Sequence, residues 1–173
     1  MYVRNDLKAK VLLKFKTSQK GKPKNKEFLF CAIWIKRISP FLVAVINRPP
    51  DVLLRNPEFL NALRTTCPEY SQKIIMGALN ANLMLDSADT RYLWDLVSEL
   101  SLKVFNHGPT HFPLGGRPSR IDLMCVDSGE RILSVDAGMP NFHSFHAKIE
   151  VTLESFLPSH MTKPFTYVET SKK

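Results

Sequence analysis

The sequence predicts an α/β (α+β) domain: sheets with helices on their outer faces. Three observations point there. Short apolar runs of strand length recur along the chain, two other stretches carry apolar residues at helical spacing, and clusters of Gly, Pro, Asn and Ser separate them. With 173 residues, 44% of them apolar and 23% charged, the chain is long enough for one soluble domain with a real core.

Leu7 to Phe15 sets Leu7, Ala9, Val11 and Leu13 against Lys8 and Lys10, the alternation of a half-buried strand. A basic loop, Lys14 to Lys26, follows. Phe28 to Ile35 is a strand rich in aromatic and branched residues, Lys36 to Pro40 turns the chain, and Phe41 to Ile46 is a third strand. Together they read as an antiparallel meander that Pro49-Pro50 ends. Pro57 to Thr66 has Phe59, Leu60 and Leu63 at helical spacing, with Pro57 suited to a first turn. Ile74 opens a buried strand that stops at Gly77. Asp89 to Leu100 is the clearest helix, with Tyr92, Leu93, Leu96, Val97 and Leu100 in one stripe and Asp86, Ser87 or Asp89 as its cap. Lys103 to Asn106, Ile121 to Val126, Ile132 to Val135 and Lys148 to Leu153 complete the strands, with Asp127-Ser128-Gly129 as a hairpin turn. Residues 1–157 form one domain without internal repeats, and from Pro158 the chain is a polar, frayed tail.

The longest wholly apolar run, Phe28 to Ile35, is far too short to cross a bilayer, so no membrane partner is expected. Charged residues interrupt the N-terminus, which argues against a signal peptide and for an intracellular protein, nuclear or cytoplasmic. Cys31, Cys67 and Cys125 lack metal-ligand spacing and read as buried free thiols. The net charge of +8 is uneven: residues 1–37 carry +9 and residues 38–173 carry −1. The lysine-rich loop is either a solubilising hairpin tip or a surface that holds a nucleic-acid phosphate backbone without reading sequence.

Three segments carry the candidate chemistry. Lys73 to Leu83 (KIIMGALNANL) ends a strand at Gly77 and projects Asn80 and Asn82 from its C-terminal edge, where α/β folds place function. Taken alone, it reads first as a strand followed by an Asn-rich turn. Gly115 to Val126 (GGRPSRIDLMCV) leads from a turn through Ser119 into Ile121-Asp122-Leu123. Asn141 to Val151 (NFHSFHAKIEV) places His146 before the alternating Ala147, Ile149 and Val151. A carboxylate beside an imidazole favours imidazolium, which suits a phosphate ligand.

This order resembles the endonuclease/exonuclease/phosphatase superfamily, and most closely the endonuclease domain of non-LTR retrotransposons. There the motifs read Gly-Asp-Phe-Asn, Ser-x-Ile-Asp and Ser-Asp-His, with Pro-Thr-His between the first two, present here as Pro109-Thr110-His111. Phe41 to Pro50 (FLVAVINRPP) resembles the family strand ending in Tyr-Arg-Pro-Pro, and Met1 to Leu12 resembles its Tyr-Val-Arg strand. The resemblance implies a four-layer α/β sandwich of mixed sheets with flanking helices, present in part and lacking its N-terminal strands, and Mg²⁺-dependent phosphodiester hydrolysis. It assigns Asn80 to positioning the nucleophile and phosphate, and Asp122 and His146 to an orienting pair. Thr110, Ser119 and Asn47 become phosphate or backbone contacts.

The departures from the family pattern are Ala78 in place of the aspartate of Gly-Asp-Phe-Asn, Phe145 in place of that of Ser-Asp-His, and Asn47 in place of the tyrosine of Tyr-Arg-Pro-Pro. The family's early Asn and metal-binding Glu lie upstream of the first strand seen here. No metal ligand is assigned. The expectation is a degenerate DNA endonuclease domain, catalytically impaired, with Mg²⁺ binding weak or absent and residual binding of nucleic acid through the basic N-terminal segment. Two alternatives stand beside it. One is a non-enzymatic interaction module whose exposed sheet associates with another copy or a partner. The other is an active nuclease using substitute residues.

Overall fold

Strands β1 (Lys8–Lys16), β2 (Glu27–Trp34) and β3 (Phe41–Asn47) form the expected antiparallel meander. The face of β1 expected to be buried is open, however: Ala9, Val11 and Leu13 are exposed, and Leu12 and Phe15 pack on the core instead, the register shifting between Val11 and Leu13. The chain then passes through helix α1 (Pro57–Thr66) into β4 (Gln72–Ala78), which pairs with β3 in parallel. After helix α2 (Ala88–Glu99) come β5 (Lys103–Val104) and β6 (Asp122–Val126), with β6 inserted antiparallel between β4 and β5. The six-stranded sheet has the order β1-β2-β3-β4-β6-β5, and a second, antiparallel sheet has the order β7-β8-β9, from Ile132–Gly138, Lys148–Leu153 and Phe165–Val168. The structure, a computed structural model, describes residues 1–16, 27–35, 39–50, 52, 54–105, 108–127, 132–138, 145–153 and 165–168; of residues 135–137, 153 and 165–168 it describes the backbone only.

Each helix start follows from local chemistry. The Asn56 side chain accepts a hydrogen bond from Phe59 N at 2.9 Å, and Pro57 occupies the first turn of α1. Of the three cap candidates for α2, Ser87 takes the role, accepting from Thr90 N at 3.1 Å. Asp89 in the first turn instead faces Arg48.

Alternation along the central strands sorts side chains between two cores. Phe28, Phe30, Leu42, Ala44, Ile46, Ile75, Leu123 and Cys125 pack with Phe59, Leu60 and Leu63 of α1 and Leu93, Leu96 and Val97 of α2. Ile74, Met76, Met124 and Val126 pack on the opposite face with Val151, Ile132 and Ile149 of the second sheet. Both helices therefore cover one face, and the second sheet covers part of the other. The described residues make three layers, helix on sheet on sheet. A fourth, helical layer outside the second sheet is not among them.

The predicted boundaries agree within a residue or two for most elements, but two regions differ or fall outside. Residues 165–168, expected in a frayed tail, pair with β8 as β9. Most of the basic loop and Ser128-Gly129 of the proposed hairpin turn lie outside the described residues. The three cysteines are free and buried, and burial pushes the thiols of Cys67 and Cys125 up to about 11 and about 12.

Candidate functional site

Strand register gathers the polar residues. Lys16 pairs with Glu27, Glu27 with Asn47, Asn47 with Ala78, and Ala78 with Asp122, so one row crosses five neighbouring strands. The row lies on the face that carries Met76 and Met124, toward the second sheet, because the intervening residues belong to the helix-side core. It sits at the C-terminal ends of β3 and β4, where side chains are free to meet a ligand. Lys16 Nζ lies 2.8 Å from Glu27 Oε1 at one end of the row.

At the other end, Asp122 holds His146: Nδ1 is 2.7 Å from Oδ2, with the carboxylate 15% and the imidazole 41% exposed. Three segments are laced together around this pair. Thr110 N and His111 N both donate to Ser119 O at 2.9 Å, Ser119 N donates to His111 O at 2.9 Å, Ala147 N donates to Thr110 O at 2.7 Å, and Phe112 N donates to Phe145 O at 2.8 Å. The fully buried Thr110 hydroxyl accepts from Asp122 N at 3.0 Å and Ile121 N at 3.3 Å. Its role is to fix the backbone that presents Asp122, which it does from inside the protein. Thr110→Val, nearly the same shape, orphans two backbone donors and is expected to cost about 1–3 kcal/mol, read as a lower urea midpoint. An unchanged midpoint would show that the clamp carries no stability.

The weave also sets His111 against His146, with ring centroids 4.8 Å apart and planes tilted by 48°. Ser119 Oγ lies 3.3 Å from His111 Nδ1. Burial pulls the His111 imidazole below its ordinary range, His146 adds to this, and Asp122 opposes it. Phe145, beside His146, is half exposed.

One strand away, the carboxamides serve the backbone. Asn80 adopts φ 50, a conformation Asn tolerates, and its Nδ2 donates to Arg48 O at 2.5 Å while its N–H donates to Ile121 O at 3.3 Å. Asn82 Oδ1 accepts from Arg120 N at 3.0 Å and Met84 N at 3.1 Å, tying the exit of β4 to the entrance of β6. Arg48 is buried. Its Nε donates to Leu79 O, its Nη1 to Val52 O, and its Nη2 lies 2.9 Å from Asp89 Oδ2. Desolvation pulls its pKa below the usual guanidinium range and Asp89 partly restores it. Arg48 thus links the ends of β3 and β4 to the first turn of α2.

Of the residues singled out from sequence, the structure brings Asp122, His146, Thr110 and Ser119 together and places Asn47 and Ala78 in the adjoining row. Asn80 lies at the same strand ends, but its Nδ2 is bonded to backbone, so the Asn-rich-turn reading describes much of what it does. Ser144, which opens the Ser-x-His motif, lies outside the described residues. Arg48 and His111 were not assigned roles. Both sit inside quoted motifs, the strand end of FLVAVINRPP and Pro109-Thr110-His111, and that adjacency was the available signal.

The described residues do not fit a magnesium ion. Among them no three His, Cys, Asp or Glu side chains converge as ligands. Asp122 Oδ2 is engaged by His146, Glu27 is ion-paired to Lys16, and Ala78 contributes a methyl group between them. What this arrangement can do is hold an anion against an oriented imidazole.

Among solved structures, the chain superposes on the endonuclease domain of TRAS1, a telomere-specific non-LTR retrotransposon. The TM-score is 0.62 over 84% of this chain and 79% of that one, at 17% identity. It superposes on an endonuclease/exonuclease/phosphatase family protein from Leptotrichia buccalis C-1013-b with a TM-score of 0.58, over 84% of this chain and 62% of that one, at 13% identity. The chain thus spans less than two thirds of the Leptotrichia protein. No protein-family model matches the sequence, and no curated protein does. At these identities the likeness is one of fold.

Proposed function

We propose, on the premise that this chain shares its fold with a retrotransposon endonuclease domain and with endonuclease/exonuclease/phosphatase proteins, that its site binds the phosphate backbone of nucleic acid and hydrolyses it weakly. The observation that carries this reading is the row in which Ala78 stands directly beside Asp122, with His146 held on Asp122. An imidazole oriented by a carboxylate can hold a phosphoryl oxygen through a charge-assisted hydrogen bond. The neighbouring position, where a carboxylate would activate water, holds a methyl group, and loss of a general base alone lowers the rate about 10²–10⁴-fold. The resemblance to that superfamily implies a magnesium-dependent site, and the residues described here do not fit that ion. The basic residues before β2 would add electrostatic hold on the backbone.

The test has two readouts. Binding of a labelled oligonucleotide is expected to fall steeply with salt, and His146→Ala to weaken it about tenfold or more, the scale of a hydrogen bond to a charged group. Plasmid nicking with Mg²⁺ is expected to be slow. Affinity indifferent to both salt and His146→Ala would sink the reading. Fast nicking abolished by His146→Ala would establish a working nuclease instead.

One observation favours an interaction module as a second reading. Among the described residues, β1 pairs only with β2, and its Val11 and Leu13 are 57% and 37% exposed on that open edge. Association through this edge would persist at high salt.

A further inference from the structure

We propose that His111 is a second phosphate-holding imidazole: it forms with His146 a paired-imidazole cleft that takes a phosphodiester oxygen and gains a proton as the anion arrives. The inference rests on the phosphate-binding reading above and names a residue and a proton step within that site.

Three observations carry it. First, the pairing is built by backbone. His111 bridges Ser119 on one side and His146 on the other, so the 4.8 Å separation of the rings is set by three hydrogen-bonded segments. Second, each ring is oriented through Nδ1, His146 by Asp122 at 2.7 Å and His111 by the Ser119 hydroxyl at 3.3 Å. A hydroxyl donates to a neutral Nδ1 and accepts from a protonated one, so His111 changes charge without losing this contact. Third, charge balance selects the ligand. Among the described residues, the charged or titratable groups that act on His111 are Asp122 on β6 and His146 ahead of β8. Asp122, the one carboxylate of the pair, is already engaged by His146 at 2.7 Å. A proton on His111 therefore calls for another anion in the cleft, and a phosphodiester supplies a single negative charge. The depressed basicity of His111 in the free protein agrees with this, since the ring waits neutral until the anion comes.

A phosphodiester does not titrate near neutrality, so any proton taken up on binding enters from solvent onto the protein. The experiment uses the full chain and a short oligodeoxynucleotide labelled with tetramethylrhodamine, a dye without a protonation step in this range. Affinity is measured at about pH 6 and about pH 8, and proton uptake by calorimetry in buffers of different ionisation enthalpy. The wild type should bind about tenfold more tightly at the lower pH. His111→Gln should lose most of that difference and take up fewer protons, while keeping the response to salt. A slope and proton count in His111→Gln equal to those of the wild type would overturn the proposal. Should this variant fold poorly, the imidazole resonance of His111 in the wild-type protein decides. Its titration midpoint should rise when the oligonucleotide saturates the site, and an unmoved midpoint refutes the role. If His146→Gln binds as well as the wild type, the phosphate site itself is wrong and the inference falls with it. If His146→Gln weakens binding and His111→Gln leaves the pH response intact, only the His111 inference falls.

Discussion

Gly77→Ala is expected to unfold the domain. Gly77 sits inside β4 at φ +129, a backbone conformation that L side chains rarely adopt. A Cβ built there would lie 2.0 Å from Ile46 O and 3.0 Å from Ile46 N and C. Neither strand can move aside. Gly77 pairs with Ile46 on β3 and with Leu123 on β6, and the neighbouring Ile46, Ile75 and Leu123 are locked in the helix-side core. The strained conformation alone costs about 1–3 kcal/mol. The collision with backbone adds to it, so the total reaches about 4 kcal/mol or more, a large share of the roughly 5–15 kcal/mol that holds a domain together. Urea unfolding followed by circular dichroism should show a variant without a cooperative transition, or with a midpoint far below the parent. A variant within about 1 kcal/mol of the parent would show that β3 and β4 approach less closely at this point. The position matters for function because Gly77 fixes where Ala78 stands.

Ala78→Asp is expected to raise phosphodiester cleavage by about 10²–10⁴-fold, the contribution of a general base. The position pairs with Asn47 on one side and Asp122 on the other, so a carboxylate there would lie one strand from the Asp122–His146 pair and on the same face. The substitution adds volume at a half-buried strand end rather than in the core, and it sets a second carboxylate directly opposite Asp122, so a modest loss of stability is expected beside the gain in cleavage. Nicking of supercoiled plasmid with and without Mg²⁺, in single and double variants, is the measurement. Activity should appear in Ala78→Asp and vanish when His146→Ala is added. If Ala78→Asp nicks no faster than the parent, the missing carboxylate is not what limits this site. If His146→Ala leaves the gained activity intact, the row does not work as a unit.

Most of the secondary structure was legible because the residues that form it carry local signals. Pro57 and Asn56 mark one helix start, Ser87 another, and the apolar stripes of both helices point into one core. The strand positions were legible for the same reason, since alternation and Gly or Pro punctuation depend only on neighbours in sequence. The site was legible in part. The resemblance to the endonuclease motifs pairs Asp122 with His146, and the structure joins them at 2.7 Å. The resemblance makes Thr110 a phosphate or backbone contact. It proved to be a buried clamp on the Asp122 backbone, a distinction that depends on burial. Arg48 and His111 passed unassigned because their importance lies in contacts 31 or more residues away, or in a ring brought alongside by another segment.

By itself the sequence determined the elements up to β8 and their order, the buried cysteines, and the absence of a carboxylate at position 78, because these are properties of residues and their immediate neighbours, whereas β9 escaped it. Only the tertiary structure decided that both helices share one face, that β6 enters between β4 and β5, and that Asn47, Ala78 and Asp122 form a single row. The physical reason is register. A strand pattern fixes which side chains share a face, but the partner strand and its offset arise from long-range packing, and a shift of one residue would have turned Asp122 away from His146.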